Sequence, residues 1–137
     1  MAYKKFFNYE ESLAVKLDWN NIRVTEKLDG SCIMMYHYND NWNIATLGSP
    51  DAGGKMEFCN DTFHNFFWDL WNELNYELSK DTEFCYIFEL ISPYNKIIVQ
   101  YENSNIVLHG ARNINNLITN TNMFMCKKLS CLFWSSS

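Results

Sequence analysis

A lysine followed by a turn sequence is the feature of this chain whose residue types could carry out covalent chemistry. The run is Lys27-Leu28-Asp29-Gly30-Ser31. A neutral lysine amine can attack the α-phosphorus of a nucleoside triphosphate and expel pyrophosphate, which leaves a phosphoramide. A free lysine has a pKa of about 10.4, so burial or a nearby cation would be needed to raise the fraction of neutral amine. The run therefore predicts a nucleophile fixed at a strand end beside a pocket.

The same run also has a simpler interpretation as a hairpin. Asp-Gly between two apolar strands is typical of a two-residue β-turn. In that arrangement Lys27 would be an ordinary exposed side chain and Asp29-Gly30 would only reverse the chain. The run alone does not decide between a nucleophile and a turn.

A second group with chemical potential is Glu89, a carboxylate within an otherwise apolar strand sequence. An unpaired carboxylate in such a strand is costly, so it requires a cation, a metal or a hydrogen-bonded ligand. Lys27 and a nucleotide ribose are candidates for that partner. A salt bridge to Lys96, or exposure at a strand end, is the structural alternative.

The elements that would position these residues are short strands and one main helix. Alternating apolar residues and turn sequences predict strands, and apolar side chains at three- and four-residue steps predict a helix capped by Asp61. A shorter helix would begin at Asn8, and the glycine-rich stretch 48–54 is interpreted as a flexible connection. The strands are expected at 22–28, 31–38, 42–47, 84–90, 96–101 and 106–111, and the helices at 8–17 and 61–79. The tight spacing predicts an α+β fold in which an antiparallel sheet packs with one main helix.

Composition limits the class of protein further. The chain has 137 residues, 47% of them hydrophobic, enough for one packed domain or part of one. It has no apolar stretch of the ~20 residues that a membrane helix requires, and the N-terminus does not resemble a signal peptide. Five cysteines without a Cys-x-x-Cys pair indicate reduced thiols, and we expect a cytoplasmic protein. A net charge of −5 argues against non-specific coating of a nucleic-acid duplex.

With both motifs in view, the chain resembles the ATP-dependent RNA ligases, and most of all the first RNA-ligase family of the T-even bacteriophages. The Lys27-x-Asp29-Gly30-Ser31 run looks like that family's motif I. The segment 88–98, an aromatic-glutamate pair followed by an apolar run, Pro-x-Asn and a basic residue, looks like its next motif. Residues 106–113 are similar to the strand that follows, and residues 46–49 align with a Gly-Ser step. The resemblance covers roughly residues 22–113.

The resemblance implies a role for each matching residue. Lys27 would be the adenylated lysine, Glu89 would contact the nucleotide ribose, and Thr25 and Glu26 would lie near the adenine. Phe88 would pack against the nucleotide, although strand alternation also allows a pure core role. The other matching positions, Asp29, Gly30 and Ser31, would shape the loop.

The resemblance also implies a reaction. ATP and a divalent metal, Mg²⁺ or Mn²⁺, would activate a 5′-phosphorylated RNA end for joining to a 3′-hydroxyl, with tRNA among the candidate substrates and the host cytoplasm as the location if the protein is viral. Residues 1–113 would form the N-terminal part of an adenylyltransferase domain, a partial nucleotidyltransferase domain of the ATP-grasp-like ligase type. Residues 114–137 would be an irregular or truncated tail.

Two departures from the family pattern leave other functions open. Leu47 stands where the phage enzymes carry a basic residue before the Gly-Ser step. The downstream motifs are not found, and Lys127-Lys128 is adjacent where alternating lysines are expected. The chain would then be truncated or a catalytically incomplete remnant that binds nucleotide or RNA. A DNA ligase or a capping guanylyltransferase shares Lys-x-Asp-Gly and is the neighbouring enzyme alternative, and an unrelated α+β interaction domain is the alternative without this chemistry.

Overall fold

The computed structural model describes residues 7–8, 10–21, 26–95 and 98–120. Its centre is a five-stranded antiparallel sheet with the order β2-β1-β3-β4-β5. The strands are β1 (Ser31–Tyr38), β2 (Asn41–Ala45), β3 (Phe84–Ile91), β4 (Asn105–Asn113) and β5 (Thr119–Asn120), and the helix is α1 (Phe63–Glu73). The predicted α+β class, an antiparallel sheet with one main helix, is confirmed.

The first hairpin follows the expected turn chemistry. Asn39 and Asp40 connect β1 to β2, and their φ angles are 51° and 59°. A two-residue turn with both φ angles positive matches the twist of the flanking strands, and Asn and Asp tolerate that conformation. The second strand ends at Ala45, two residues before the predicted boundary at residue 47.

The main helix is shorter than the predicted 61–79, and its cap differs. Thr62, not Asp61, is the N-cap, because the Thr62 side chain accepts a hydrogen bond from the Asn65 N–H at 3.2 Å. The helix ends near Leu74, where Asn75 takes a left-handed φ of 53°. Leu78, within the predicted range of the helix, lies beyond its end and is 48% exposed.

The helix packs on one face of the sheet through aromatic side chains. Phe67 and Trp71 are buried, and their rings lie 5.9 and 5.6 Å from the ring of Phe88 on β3. Aromatic pairs at these distances contribute about 0.5–1.5 kcal/mol each beyond the area that they bury. Ile33 and Met35 on β1 complete this core and are fully buried. The apolar side chains that predicted the helix thus include two that form its core contact, Phe67 and Trp71.

Two further predicted elements are wrong within the described residues. Residues 10–17 form turns, because the apolar side chains Leu13 and Val15 are 73% and 88% exposed and no packed face stabilises a short helix there. Residues 98–101 are not a strand, since the N–H groups of Ile98 and Val99 bind a carboxylate instead of a neighbouring strand. Residues 22–25 and 96–97, parts of two predicted strands, lie outside the described residues, and 26–28 are irregular.

The face of the sheet opposite α1 carries the side chains that concern function. Side chains alternate along a strand, so Glu89 points away from Phe88 and its helix contacts. Cys32 on β1 and Val107 on β4 are the register partners of Glu89 and lie on the same face. The strand β5 pairs with the end of β4 and lies within 114–137, where the sequence predicted no regular element. We call the face of the sheet that carries Glu89, Cys32 and Val107 the open face.

Candidate active site

The two sequence motifs meet at the beginning of β1. The Gly30 N–H donates a hydrogen bond to Oε1 of Glu89 at 3.0 Å, across 59 residues of sequence. The register continues this contact, because Ser31 lies opposite Leu90 and Cys32 lies opposite Glu89. The lysine run is therefore attached to the strand that carries the carboxylate.

Gly30 is required by the close approach of these two segments. A Cβ built on Gly30 would lie 2.2 Å from the backbone oxygen of Leu90, closer than any side chain could occupy. The φ angle of Gly30 is not positive. A two-residue hairpin turn needs positive φ at its central residues, and residues 26–28 do not form a strand. The hairpin interpretation of Asp29-Gly30 is therefore wrong.

Asp29 anchors the segment that follows β3. Its Oδ2 accepts hydrogen bonds from the N–H groups of Ile98 at 2.5 Å and Val99 at 2.6 Å. The Asp29 N–H in turn donates to the Tyr101 hydroxyl at 2.9 Å. The N–H groups of Val99 and then Ile98 hold the pKa of Asp29 below its ordinary value, because they stabilise the carboxylate. Asp29 therefore remains charged, and its contacts fix the backbone two residues beyond Lys27.

Ser31 connects the lysine run to the Pro-x-Asn segment. Asn95 donates from Nδ2 to the Ser31 Oγ at 2.9 Å and to the Leu90 oxygen at 3.3 Å. Asn95 is held in a turn by its own N–H, which donates to the Ser92 oxygen at 3.1 Å. The Asn95 amide thus bridges β1 and β3 next to the contact between Gly30 and Glu89.

The other predicted site residues are less constrained. Lys27 is exposed, not buried, and it lies four positions before β1, so the prediction of an amine buried at a strand end is corrected. Glu26 is also exposed, and Thr25 lies outside the described residues. Phe88 is 2% exposed and contacts α1, so its surroundings support the core role that the sequence left open. Leu47 is 94% exposed at the position of the missing basic residue.

Glu89 has a charged partner that the sequence did not indicate. The Glu89 Oε2 lies 3.6 Å from the Nε2 of His109 on β4, and the two side chains are 17% and 34% exposed. The nearby Cys32 sulfur, and then the Glu89 carboxylate, raise the pKa of His109 from 6.5 to about 9, against the opposing effect of burial. The Glu89 carboxylate therefore lies between a backbone N–H and an imidazolium. Lys96, the partner that the sequence suggested, lies outside the described residues.

Two residues of this arrangement were missed because they have no local signal. Tyr101 and His109 reach the site only through the pairing of β3 with β4 and the path of the connection between them. His109 lies in the segment that resembles the family, but its spacing from other polar residues indicated nothing. Tyr101 was the last residue of a predicted strand, and residues 98–101 are not a strand.

The open face continues into a cavity of about 610 Å³. The cavity lies at the other end of β1 and β3 from Glu89, beside Met34, Tyr36, Cys85 and Arg112. Burial raises the pKa of the Cys85 thiol.

The described part of the chain contains neither a metal-binding cluster nor a membrane-spanning helix. Residues 7–8, 10–21, 26–95 and 98–120 contain no cluster of three histidine, cysteine, aspartate or glutamate side chains with the geometry of a metal site. Across those same ranges, no helix has the length and apolar character needed to cross a bilayer.

Comparison with known proteins finds two similar sequences and one matching family. An RNA ligase of Rhodothermus phage RM378 is 35% identical over 105 residues, which cover 68% of this chain and 23% of the relative. A putative bifunctional polynucleotide kinase/RNA ligase of Autographa californica nuclear polyhedrosis virus is 29% identical over 123 residues, which cover 74% of this chain and 17% of the relative. The chain thus spans less than a quarter of either relative. The RNA ligase family matches residues 1–130, and the chain belongs to this family, of phage and viral type.

Proposed function

We propose that this chain carries the nucleophile of an ATP-dependent RNA ligase and forms a lysyl-AMP intermediate through Lys27. The Lys27 Nζ attacks the α-phosphorus of ATP, a P–N bond forms, and the bond to the pyrophosphate oxygen breaks. The AMP then passes to the 5′-phosphate of an RNA end. Attack by a 3′-hydroxyl on that activated phosphate joins the RNA and releases AMP.

The observation that carries this proposal is the hydrogen bond between Gly30 and Glu89. It attaches the lysine run to the strand with the carboxylate, although the two are far apart in sequence. Positioning of a nucleophile against its substrate can supply much of the barrier reduction in such a transfer. Membership of the RNA ligase family supports the same assignment of Lys27.

Glu89 is proposed to receive the ribose of the nucleotide on the open face. One of its oxygens holds Gly30 and the other faces His109, so the carboxylate is oriented before a ligand arrives. Acceptor oxygens of this kind bind sugar hydroxyls as hydrogen-bond acceptors. Asp29 and Ser31 have the supporting role of fixing the loop on which Lys27 stands.

We propose that the divalent ion of the reaction arrives with the nucleotide. Mg²⁺ in nucleotide sites is usually held by substrate phosphates and one or two carboxylates, and the described residues offer no larger cluster. When bound, such an ion neutralises charge on the departing pyrophosphate.

The limits of the domain belong to the same proposal. Residues 1–113 are proposed as the N-terminal part of the adenylyltransferase domain, with RNA ends, tRNA ends among them, as the second substrate and the host cytoplasm as the location. Most of 114–137 lies outside the described residues.

Nucleotide labelling tests the proposal. The purified protein is incubated with Mg²⁺ and either α-labelled ATP or α-labelled GTP, then denatured and separated by electrophoresis. We expect covalent label from ATP, none in Lys27→Ala, and normal labelling in a Lys55→Ala control, in which an exposed lysine outside the site is removed. Label from GTP alone would favour a capping-type enzyme. No label from either nucleotide, with a folded protein, would favour a remnant that only binds.

A further inference from the structure

His109 occupies a special position in β4. The register passes from Phe88 opposite Leu108 to Ile87 opposite Gly110, so His109 is the additional residue of a β-bulge. A bulge bends its strand and increases the local twist, and bulges are common beside active sites, where they redirect a side chain. Here the redirected side chain approaches Glu89, with Nε2 3.6 Å from Oε2.

The surroundings of His109 favour a cation. Its titratable partners are Cys32 on β1 and Glu89 on β3, and both stabilise the protonated imidazole. The side chain is 34% exposed, so solvent weakens the ion pair but does not remove it. A cation at this position attracts one carboxylate oxygen of Glu89 while the Gly30 N–H holds the other.

We propose that His109 is a positioning residue of the adenylation site, which as an imidazolium fixes the Glu89 carboxylate between β4 and the lysine run. This inference rests on the proposed function of Lys27 and Glu89. Without the cation, the Glu89 carboxylate can rotate away from Gly30, and both the loop before β1 and the ribose acceptor lose their orientation. His109 itself touches neither ATP nor the reacting phosphorus.

A double-mutant cycle tests whether His109 acts through Glu89. The rate of AMP attachment is measured at limiting and saturating ATP for wild type, His109→Gln, Glu89→Gln and the double variant. Contacting residues have interaction energies that correspond to a few-fold to about a hundredfold in rate, and we expect His109→Gln to lose about tenfold near pH 7. We expect no further loss when His109→Gln is added to Glu89→Gln. If the rate losses of the two single variants multiply in the double variant, the inference is overturned.

The pH profile supplies a readout that a merely structural role would not move. The ratio of wild-type to His109→Gln rates removes every pH effect that the two proteins share. It should fall from about tenfold near pH 7 towards one above about pH 9, where His109 loses its proton. The lysine of His109→Lys keeps its charge to about pH 10. The ratio of the His109→Lys rate to the His109→Gln rate should therefore fall less steeply with pH than the wild-type ratio over that range. His37→Gln, a histidine that packs on Trp42, is the control and should leave the profile unchanged.

The outcomes separate the two proposals. If wild type attaches AMP but the ratio is flat with pH and the cycle is additive, the role of His109 is overturned and the role of Lys27 stands. If folded wild type attaches no AMP, the proposed function fails and the role of His109 fails with it. If His109→Gln does not fold, His109→Lys and its pH profile decide the question alone.

Discussion

The contact between Gly30 and β3 gives a quantitative prediction for Gly30→Ala. The added methyl carbon would lie 2.2 Å from the Leu90 oxygen, roughly 1 Å inside the 3.3 Å lower limit of an ordinary C···O contact. The obstructing atom is backbone, so β1 and β3 must separate where Ser31 pairs with Leu90. Overpacking of this kind costs about 1–3 kcal/mol. The smaller entropy of the unfolded alanine chain offsets about 0.4–1 kcal/mol of that.

We therefore expect Gly30→Ala to lower the free energy of unfolding by roughly 1–2 kcal/mol, which is roughly 3–10 °C in Tm for a domain of this size. Gly48→Ala is the matched control, because a Cβ there meets nothing within 4 Å, and its stability should be equal or slightly higher. Calorimetry of the three proteins measures both effects. Equal Tm values for Gly30→Ala and Gly48→Ala would refute the close approach of Gly30 to β3.

Three further perturbations follow from named contacts. The pKa of His109 is raised above its unfolded value to about 9, so the stability that it contributes is complete below about pH 6.5 and is lost as the pH rises through about 9. After screening by solvent we expect this contribution to be about 1 kcal/mol. It is measured as the difference in Tm between wild type and His109→Gln at the two ends of that pH range, and a difference that stays constant would contradict it. The pKa of Asp29 is lowered in the folded protein. The stability that Asp29 contributes is therefore present above about pH 3.8 and is lost as the pH falls through its lower, folded-state pKa. Asp29→Asn should accordingly speed hydrogen exchange of the Val99 amide at neutral pH, and unchanged exchange would exclude the contact. Thr62→Ala should cost about 1 kcal/mol in chemical denaturation by removing the cap of α1, and a loss below about 0.3 kcal/mol would exclude that cap.

The strands and the helix could be predicted wherever local pattern agreed with packing. Strands β1 and β3 follow their apolar sequences closely, and the positions of α1 that contact Phe88 follow the helical period. The predicted ends of α1 were wrong, because a single polar residue determines each end in the structure. Thr62 displaced Asp61 as the cap, and Asn75 ended the helix by taking a left-handed φ.

The site was predicted only as far as its motifs extend. The resemblance paired the lysine run with Glu89, and the hydrogen bond to Gly30 joins them. The roles of Tyr101 and His109 could not be derived, because each depends on strand pairing or on a bulge that no local pattern indicates. The part of the predicted strand at 98–101 does not form for a related reason: Asp29 offers the Ile98 and Val99 amides a charged acceptor.

The structure requires a glycine at position 30 for a reason that the sequence did not indicate. Asp-Gly suggested a turn in which glycine supplies an unusual φ. The structure uses instead the missing side chain, which lets the lysine run lie against the Leu90 backbone. A sequence pattern identifies the residue in such a case, while the neighbouring strand decides what the residue does.

Peptide mass spectrometry detects the covalent attachment of AMP to Lys27 and identifies the modified residue. The protein is incubated with ATP and Mg²⁺, digested, and its peptides are sequenced by fragmentation. We expect one AMP on Lys27, none after Lys27→Arg, and strongly reduced attachment in Glu89→Gln. AMP on another lysine, or no AMP on a folded wild-type protein, would contradict the account.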